Sequence, residues 1–371
     1  MKIIVVGAGI LGASTAYHLA LSGAEVTLVD RFDKGQATDA AAGIVCPWLT
    51  QRRNKAWYKL VKGGARYYPE LITQLEADGE TETGYKRVGA ISLHTDAEKL
   101  EKMAERARKR REDAPEIGEI TILSPAETRE MFPPIAEEYG SVFVSGGARV
   151  NGRALRDALI NGAIKHGAIV IKGDASLIHQ QDRVLGIAIE DEILEADKVI
   201  VTGGVWSRDL LQSIGIDFLV TPQKAQIVHL EMPDTDTSSW PVVMPPNNQY
   251  ILAFEAGRIV VGATHEDEAG MDCRVTAGGL NEIFQKALTV APGLAESTML
   301  ETRVGFRPFT PGFLPVIGEL PGVKGVLLAN GLGASGLTSG PYLGAELAKL
   351  AMGKQLELDL SLYDIKGAIG E

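Results

Sequence analysis

The sequence predicts an α/β protein with two domains, each built from segments that lie far apart in the chain. Apolar strands followed by a glycine turn and a helix occur near both ends, at residues 2–6 and 325–330, and another buried strand lies within 196–204. Strands of this kind form parallel, doubly wound sheets. Residues 220–270 instead alternate apolar and polar side chains, which is typical of an antiparallel sheet. The chain therefore crosses more than once between a parallel domain and a mixed or antiparallel one.

The order of these patterns predicts where each domain lies in the chain. We assign residues 1–84, 141–221 and 300–371 to the parallel domain. Residues 85–140 and 222–299 form the second domain. A chain of 371 residues is long enough for two domains, since a single domain has about 150 residues.

Composition excludes several classes of protein. The formal net charge of -11 argues against a nucleic-acid surface, because phosphate binding needs clustered Lys and Arg. Cys46 and Cys273 are the only cysteines, so neither a disulfide framework nor a thiolate metal site is expected. No apolar run reaches the roughly 18 residues of a membrane span. We expect a cytoplasmic protein without metal, nucleic-acid partner or transmembrane segment; a homo-oligomer is left open.

The segment IIVVGAGILGAS has the glycine spacing of a dinucleotide-binding turn. Gly7, Gly9 and Gly12 follow a strand and begin a helix, and Asp30 ends the next strand. The glycines let the backbone approach a pyrophosphate at the helix N-terminus, and the carboxylate accepts hydrogen bonds from ribose hydroxyls. Asp30 repels a ribose 2′-phosphate, although Arg31 beside it weakens that argument. A turn that serves only packing is the alternative.

The segment NGLGASGLTSGP repeats the spacing with Gly331, Gly333 and Gly336. Too few residues follow it for a second βαβ unit with an acidic residue in the required place. We therefore expect one cofactor that contacts the chain at both ends, with backbone N–H groups of this turn facing a partly negative carbonyl of a ring system. A close-packing turn is again the alternative.

Other motifs lie between the two glycine turns. TDAAAG, ADKVIVTGGVWS, GRIVVGAT and RVGFRPFTPGFLPVIG follow one another in this order. With the glycine turns, they resemble the FAD-dependent amino-acid oxidoreductases of the D-amino-acid oxidase superfamily, and they are most similar to the glycine oxidase and D-amino-acid dehydrogenase branches. The resemblance spans nearly the whole chain. It implies that the parallel domain is a Rossmann-like FAD-binding domain and that the second domain binds substrate and roofs the flavin.

The resemblance also implies which residues bind FAD. The first turn, Asp30 and Arg31 would hold the AMP half, and Ala175 would meet the adenine through its backbone. The TDAAAG turn and the end of the strand at Thr202 would follow the pyrophosphate and flavin, and the second glycine turn would hold the pyrimidine edge of the flavin. The implied set is Gly7, Ala8, Gly9, Ile10, Leu11, Gly12, Asp30, Arg31, Thr38, Ala40, Ala41, Gly43, Ala175, Thr202, Gly203, Arg307, Gly331, Gly333, Ala334, Ser335, Gly336, Leu337 and Thr338.

Three residues are candidates for the chemistry of the substrate. In the family pattern, Arg307 forms a bidentate pair with the substrate carboxylate, for which a planar guanidinium is well suited. An ordinary surface ion pair is the alternative. Tyr250 matches a tyrosine that helps to orient this carboxylate, and a core tyrosine is the other reading. His265 could tune the chemistry of the substrate amine or of oxygen, or be a structural or exposed histidine; no catalytic residue is certain.

The sequence departs from related patterns at several positions. Ala334 stands where some glycine-oxidase-like proteins have a second Arg. The Lys near Thr338 and the flavin-linked Cys near Gly305 of sarcosine-oxidase-like proteins are absent, and TDAAAG lacks the His of a covalent flavin link. We therefore expect non-covalent FAD.

The resemblance implies oxidation of the amine of a small amino acid, such as glycine, a D-amino acid or an N-methyl amino acid. A hydride equivalent passes from the substrate to flavin N5, and the imine hydrolyses to the oxo acid; oxygen or an electron carrier accepts the electrons. The alternative is an FAD-carrying subunit of a larger electron-transfer dehydrogenase complex. An NAD(P)H-dependent flavin reductase is disfavoured, because a second βαβ unit is missing.

Overall fold

The computed structural model describes residues 1–370 of the chain. Over this range the chain forms four sheets and eight α-helices. The strands are β1 (Lys2–Val6), β2 (Glu25–Asp30), β3 (Ile44–Val45), β4 (Lys86–Arg87), β5 (Ala90–His94), β6 (Ile120–Leu123), β7 (Gly140–Val144), β8 (Ala148–Arg149), β9 (Ile169–Lys172), β10 (Ala175–Gln180), β11 (Arg183–Ile189), β12 (Glu192–Glu195), β13 (Lys198–Val201), β14 (Thr221–Glu231), β15 (Val242–Met244), β16 (Tyr250–Ala253), β17 (Arg258–Gly262), β18 (Thr298–Phe309), β19 (Val316–Glu319) and β20 (Val326–Asn330). The helices are α1 (Ile10–Leu21), α2 (Lys55–Ala77), α3 (Ala97–Arg111), α4 (Pro125–Met131), α5 (Gly152–Lys165), α6 (Ser207–Gln212), α7 (Ala277–Val290) and α8 (Gly336–Ala351).

A six-stranded sheet in the order β19-β20-β13-β1-β2-β9 forms the parallel part of the fold. Strands β9, β2, β1, β13 and β20 run parallel, and β19 is antiparallel at one edge. Helices and strands of the other sheets connect these strands, so the sheet collects strands from both ends and from the middle of the chain. This confirms the α/β fold class and the discontinuous use of the sequence.

The alternation of side chains in β1 explains how this sheet is buried on both faces. Ile3 and Val5 belong to the core formed with α1, α2, α5 and α8. Ile4 points to the opposite face, into a core shared with Leu177 and Val184 of the antiparallel sheet β10-β11-β12. Successive residues of a strand face opposite sides, so a strand that is covered on both faces reads as a continuous apolar run.

An eight-stranded sheet in the order β18-β14-β17-β16-β15-β5-β7-β6 forms the second part. Its pairs are antiparallel except for β5 and β15. Strand β18 pairs with β14 along nearly its whole length, so the predicted boundary between 299 and 300 falls inside a strand of this sheet. The boundary between 140 and 141 likewise falls inside β7. A strand pattern does not reveal its pairing partner, and the division into two domains stays a prediction.

One predicted strand is interrupted. The segment 85–95 reads as a single strand, but it forms β4 and β5, which belong to different sheets. Gly89 lies between them with a φ of +77°, and a Cβ there would stand 2.3 Å from the ring of Phe143. The left-handed backbone at this glycine changes the direction of the chain.

No helix within residues 1–370 is long and apolar enough to cross a membrane.

A buried polar network fixes the loop between β17 and α7. Lys224 of β14 has a side chain that is only 1% exposed, and its Nζ lies 3.6 Å from Glu266 and 3.5 Å from Asp272. Gln226 donates a hydrogen bond of 2.7 Å to the same Glu266 carboxylate. A buried ammonium group is tolerated only when it has charged or polar partners, so these contacts hold the loop onto β14.

Removal of one of these carboxylates tests the network. Glu266→Gln leaves Lys224 buried with a single carboxylate partner, so we expect the free energy of unfolding to fall by about 2–3 kcal/mol. Glu268→Gln removes the same charge from an exposed neighbour and should change stability by less than about 0.5 kcal/mol. Urea unfolding followed by circular dichroism measures both. Equal effects of the two variants would contradict a stabilising role for the network.

Candidate active site

A cavity of about 550 Å³ lies where the carboxyl ends of the parallel strands meet the eight-stranded sheet. Segments from the whole length of the chain contribute to its wall. The sequence-predicted residues that line it are Gly7, Gly9, Ile10, Leu11, Asp30, Arg31, Thr38, Ala40, Ala41, Gly43, Ala175, Thr202, Gly203, Tyr250, His265, Arg307, Gly331, Gly333, Ala334, Gly336, Leu337 and Thr338. The cavity therefore brings together the two glycine turns and all three candidate substrate residues.

The first glycine turn is packed so closely that its backbone forms the cavity wall. A Cβ on Gly12 would lie 1.7 Å from the carbonyl oxygen of Gly7 and 2.5 Å from Thr202 Oγ1. Gly7 has a φ of +106°, which favours glycine. The Thr202 hydroxyl donates to the Gly7 carbonyl at 2.9 Å, so β13 and the turn after β1 are joined at the point where the cavity begins.

Two helices begin at this cavity, and in neither does the N-cap residue itself supply a side-chain cap. The N-cap of α1 is Gly9, and that of α8 is Ser335, whose side chain does not bond to the first turn of the helix. Neither helix has an acidic residue in its first turn. Helix N-termini carry a partial positive charge and unpaired N–H groups, so both ends are suited to negatively charged or carbonyl groups of a ligand.

The Asp30 carboxylate is held at the end of β2 by three donors. Ala8 and Phe32 donate backbone N–H bonds of 2.5 Å each, and Gln36 donates a side-chain bond of 2.9 Å. Arg31 pairs instead with Asp33 at 2.7 Å and with Asp174 at 3.2 Å. The guanidinium beside Asp30 is thus occupied by two carboxylates. This arrangement leaves the acidic character of the site intact and does not favour a ribose 2′-phosphate.

The TDAAAG segment crosses the cavity as a short 3-10 turn, Ala37–Ala40. Thr38 Oγ1 accepts the N–H of Ile10 at 3.0 Å, which ties this turn to the first turn of α1. Gly43 ends the segment with a φ of +105°, and a Cβ there would lie 1.9 Å from the carbonyl oxygen of Val150. A side chain at Gly43 would therefore clash with the backbone of Val150 and displace the segment.

The second glycine turn is fixed by Asn330, the last residue of β20. Its Oδ1 accepts the N–H of Gly331 at 2.7 Å, and its Nδ2 donates to Ser207 Oγ at 2.9 Å. Gly331 has a φ of +79°, and a Cβ there would lie 2.0 Å from Thr310 Oγ1. The bond to Ser207, the first residue of α6, ties the end of β20 to the segment that follows β13. Since β1, β13 and β20 run parallel, the two glycine turns lie at the same edge of the sheet.

Arg307 of β18 lines the cavity without a carboxylate partner among residues 1–370. Its Nη1 donates to Gln223 Oε1 at 2.8 Å. Gln223 is 9% exposed, and its Nε2 donates to Asp267 at 2.7 Å. The nearest acid in this chain of hydrogen bonds is therefore separated from the guanidinium by a neutral amide, and the charge of Arg307 is available to a ligand.

Tyr250 and His265 lie beside Arg307. Burial raises the pKa of Tyr250, and the nearby guanidinium of Arg307 lowers it by a smaller amount, so the hydroxyl stays protonated near neutral pH. His265 is exposed overall, yet partial burial of its ring lowers its pKa, and the positive charge of Arg307 lowers it further. The imidazole is therefore neutral near neutral pH.

Three predicted residues support the wall without lining it. Ala8 binds Asp30 through its N–H, and Gly12 allows the close contact described above. Ser335 accepts a hydrogen bond of 3.0 Å from Trp57 Nε1. Among the residues that sequence reasoning missed, Gln36 lies one residue before the turn that carries TDAAAG, and Asn248 lies two residues before Tyr250.

Within residues 1–370, no group of three or more His, Cys, Asp and Glu side chains could hold a metal ion.

Known proteins resemble this chain over almost its full length. Residues 2–350 match the DAO family, described as FAD dependent oxidoreductase. The chain is 66% identical to the uncharacterized oxidoreductase YurR of Bacillus subtilis, over 99% of each chain. It is 26% identical to the glycine oxidase of Pseudomonas putida, over 100% of this chain and 99% of the other. The crystal structure of iminodiacetate oxidase (IdaA) from Chelativorans sp. BNC1 superposes with a TM-score of 0.95, at 45% identity and 98% coverage of each chain.

The family match covers the glycine turns, the cavity and the two large sheets. Three features of the cavity suit a large dinucleotide: two helix N-termini, a carboxylate at the end of β2, and a wall of glycine backbone. The chain belongs to the DAO family of FAD-dependent oxidoreductases, and FAD is its cofactor.

Proposed function

We propose that this enzyme oxidises the C–N bond of a small amine that carries a carboxylate, by hydride transfer from the carbon next to nitrogen. The imine product then hydrolyses to an oxo acid and ammonia or an amine. The substrate class includes glycine, D-amino acids and N-substituted glycines. The observation that carries this proposal is Arg307, a cation in the cavity wall whose hydrogen-bonded neighbour is a neutral glutamine.

The substrates named for two relatives share one chemical unit. Glycine and iminodiacetate both contain N–CH₂–COO⁻, and the relatives named for them match this chain over nearly its full length. A guanidinium binds a carboxylate in a planar, bidentate arrangement, most strongly where water is partly excluded. We therefore propose that Arg307 binds the carboxylate of this unit, and that the protonated hydroxyl of Tyr250 donates to the same group.

The residues that would hold FAD follow from the wall of the cavity. The N-terminus of α1 and the turn at Thr38 suit the pyrophosphate, and Asp30 offers carboxylate oxygens to ribose hydroxyls. The N-terminus of α8 offers N–H groups to a carbonyl of the flavin ring. When bound, FAD supplies a two-electron acceptor at the ring.

The protein residues contribute binding, orientation and a dry environment to the reaction. Arg307 fixes the carboxylate, and with it the position of the adjacent CH₂ group. For glycine, a hydride leaves carbon and a proton leaves nitrogen; water then adds to the imine and releases glyoxylate and ammonia. His265 is neutral and therefore does not repel the amine. No acid–base pair of carboxylates is required.

We also propose that FAD is held without a covalent bond. A Cβ at Gly305 would lie 2.7 Å from the Cβ of Ala40, so the wall has no room for a cysteine at this place. Neither Cys46, which is buried, nor Cys273, which is exposed, lines the cavity. Denaturation should therefore release all of the flavin from the protein.

Removal of the carboxylate at residue 30 tests the proposed ribose contact. We expect Asp30→Asn to weaken FAD binding by about tenfold or more, because a hydrogen bond to a charged group contributes about 1.5–3 kcal/mol. Glu25→Gln, at the opposite end of β2, should leave FAD affinity unchanged. Quenching of flavin fluorescence during titration of the apoprotein measures both. Unchanged affinity in Asp30→Asn would remove Asp30 from the cofactor site.

Substrate-dependent bleaching of the flavin band tests the reaction itself. Under anaerobic conditions, we expect glycine, sarcosine, iminodiacetate or a D-amino acid to bleach the visible band, whereas ethylamine, which lacks a carboxylate, should not. Arg307→Met should lower kcat/KM for the active substrate at least about thirtyfold, since loss of a buried charged partner costs about 2–5 kcal/mol. Readmission of air tests oxygen as the electron acceptor.

One result would contradict the reaction, and another would contradict the role of Arg307. If no amine bleaches the flavin, the chain is better explained as an FAD-carrying subunit of a larger electron-transfer complex, and a search for a co-purifying chain would follow. If Arg307→Met retains full activity, the carboxylate is bound elsewhere.

A charge placed on the neighbour of Arg307 tests whether the guanidinium must stay free. Gln223→Glu converts the amide contact of 2.8 Å into a direct ion pair, which competes with the substrate carboxylate. We expect KM to rise about tenfold or more while kcat changes little. Thr221→Glu, exposed and two residues earlier on the same face of β14, adds the same charge farther away and should leave KM nearly unchanged. A normal KM in Gln223→Glu would show that Arg307 does not bind the carboxylate.

A further inference from the structure

A second polar group borders the cavity beside Arg307. Asn248 and His265 both line the wall, and Asn248 Nδ2 lies 3.3 Å from His265 Nδ1. Lys286 of α7 donates to Asn248 Oδ1 at 2.9 Å. These three side chains form a line of hydrogen bonds that runs from α7 to the cavity and is separate from the line that joins Arg307, Gln223 and Asp267.

This line of hydrogen bonds fixes which nitrogen of His265 carries the proton. An ammonium group only donates, so Lys286 requires the oxygen of the Asn248 amide. The NH₂ group of Asn248 therefore faces His265 Nδ1, which must accept. A neutral imidazole then carries its proton on Nε2, and this atom has no hydrogen-bond partner among residues 1–370. His265 thus offers an unused donor at the cavity wall.

The charges around this group are balanced before a ligand arrives. Lys286 pairs with Glu282 at 2.6 Å, and Asp267 is bound by Gln223. Arg307 is the cation without a carboxylate partner, and it is close enough to His265 to lower the pKa of the imidazole. A ligand that reaches both sets of hydrogen-bonded side chains therefore meets two groups. One is the guanidinium of Arg307, which has no carboxylate partner among residues 1–370, and the other is the unused Nε2–H donor of His265.

We propose that the substrate carries a second acidic group, and that His265 binds it through Nε2–H while Asn248 and Lys286 hold the imidazole in place. The substrate class is a dicarboxylic secondary amine in which two carboxymethyl groups share one nitrogen. This inference rests on the proposed function, because Arg307 must bind the first carboxylate. Oxidation of such a substrate and hydrolysis of its imine release glyoxylate and glycine.

Two substrates that differ by a single carboxylate test the inference. Iminodiacetate becomes sarcosine when one carboxylate is replaced by hydrogen. We expect the wild-type enzyme to have a higher kcat/KM for iminodiacetate than for sarcosine. His265→Ala should lower kcat/KM for iminodiacetate, mainly through KM, by a factor about ten times larger than any loss for sarcosine. Lys286→Met, outside the cavity wall, should lower the value for iminodiacetate by a smaller factor.

Sarcosine is the control substrate, because a purely structural role of His265 would lower kcat/KM for both substrates. A parallel loss for both substrates would show that His265 supports the site as a whole, and would overturn the inference. A wild-type preference for sarcosine would overturn it as well.

Ligands that cannot be oxidised at a C–N bond separate this inference from the proposed reaction. Thiodiacetate and (methylthio)acetate replace nitrogen by sulfur and again differ by one carboxylate. Calorimetric titration of the FAD-loaded protein should give tighter binding of thiodiacetate, and His265→Ala should remove the difference. If no amine reduces the flavin but this difference is present, the reaction fails and the subsite stands. Equal binding of the two thioethers in the wild type would overturn the subsite.

Discussion

The close contact between the first glycine turn and the end of β13 is the constraint on which the rest of the site depends. Gly12 has no Cβ, so α1 can begin against the carbonyl of Gly7 and the hydroxyl of Thr202. Any side chain at this position would push the helix away from the sheet. The contact places the N-terminus of α1 at the floor of the cavity and aligns β1 with β13, to which β20 is added in parallel. The second glycine turn then follows from the position of β20.

Electrostatics divide the cavity into two regions. The N-termini of α1 and α8, which have no acidic residue in the first turn, supply partial positive charge on the side of the parallel sheet. On the side of the eight-stranded sheet, Arg307 supplies a full charge, and Gln223 keeps the nearest carboxylate from neutralising it. The first region suits an anionic dinucleotide, and the second suits an anionic substrate. Gln223, which lies between Asp267 and Arg307, therefore orients the guanidinium without forming an ion pair with it.

The loop between β17 and α7 connects this electrostatic arrangement to the stability of the fold. It contains His265, it contributes Asp267 to the hydrogen bonds that lead through Gln223 to Arg307, and it is anchored by buried Lys224 through Glu266 and Asp272. The network lies on the opposite face of β14 from Gln223, because successive residues of a strand alternate. One face of β14 thus holds the loop, and the other face carries Gln223, which holds the cavity-lining Arg307.

The sequence by itself determined the α/β class, the two glycine turns and the position of Asp30 at the end of a strand, because these features depend on local spacing. Both ends of the chain line one cavity, as the two turns predicted. The turns at Gly12 and Gly331 could be predicted from the sequence, since only glycine fits such turns. Long-range pairing was not readable: the pattern of β18 shows a strand, yet only the folded sheet decides that it pairs with β14. The same pairing sets Gln223 beside Arg307, and the packing of α7 brings Lys286 to Asn248. Tertiary structure alone decided these contacts, because hydrogen bonds between residues far apart in the chain leave no periodic trace in the sequence.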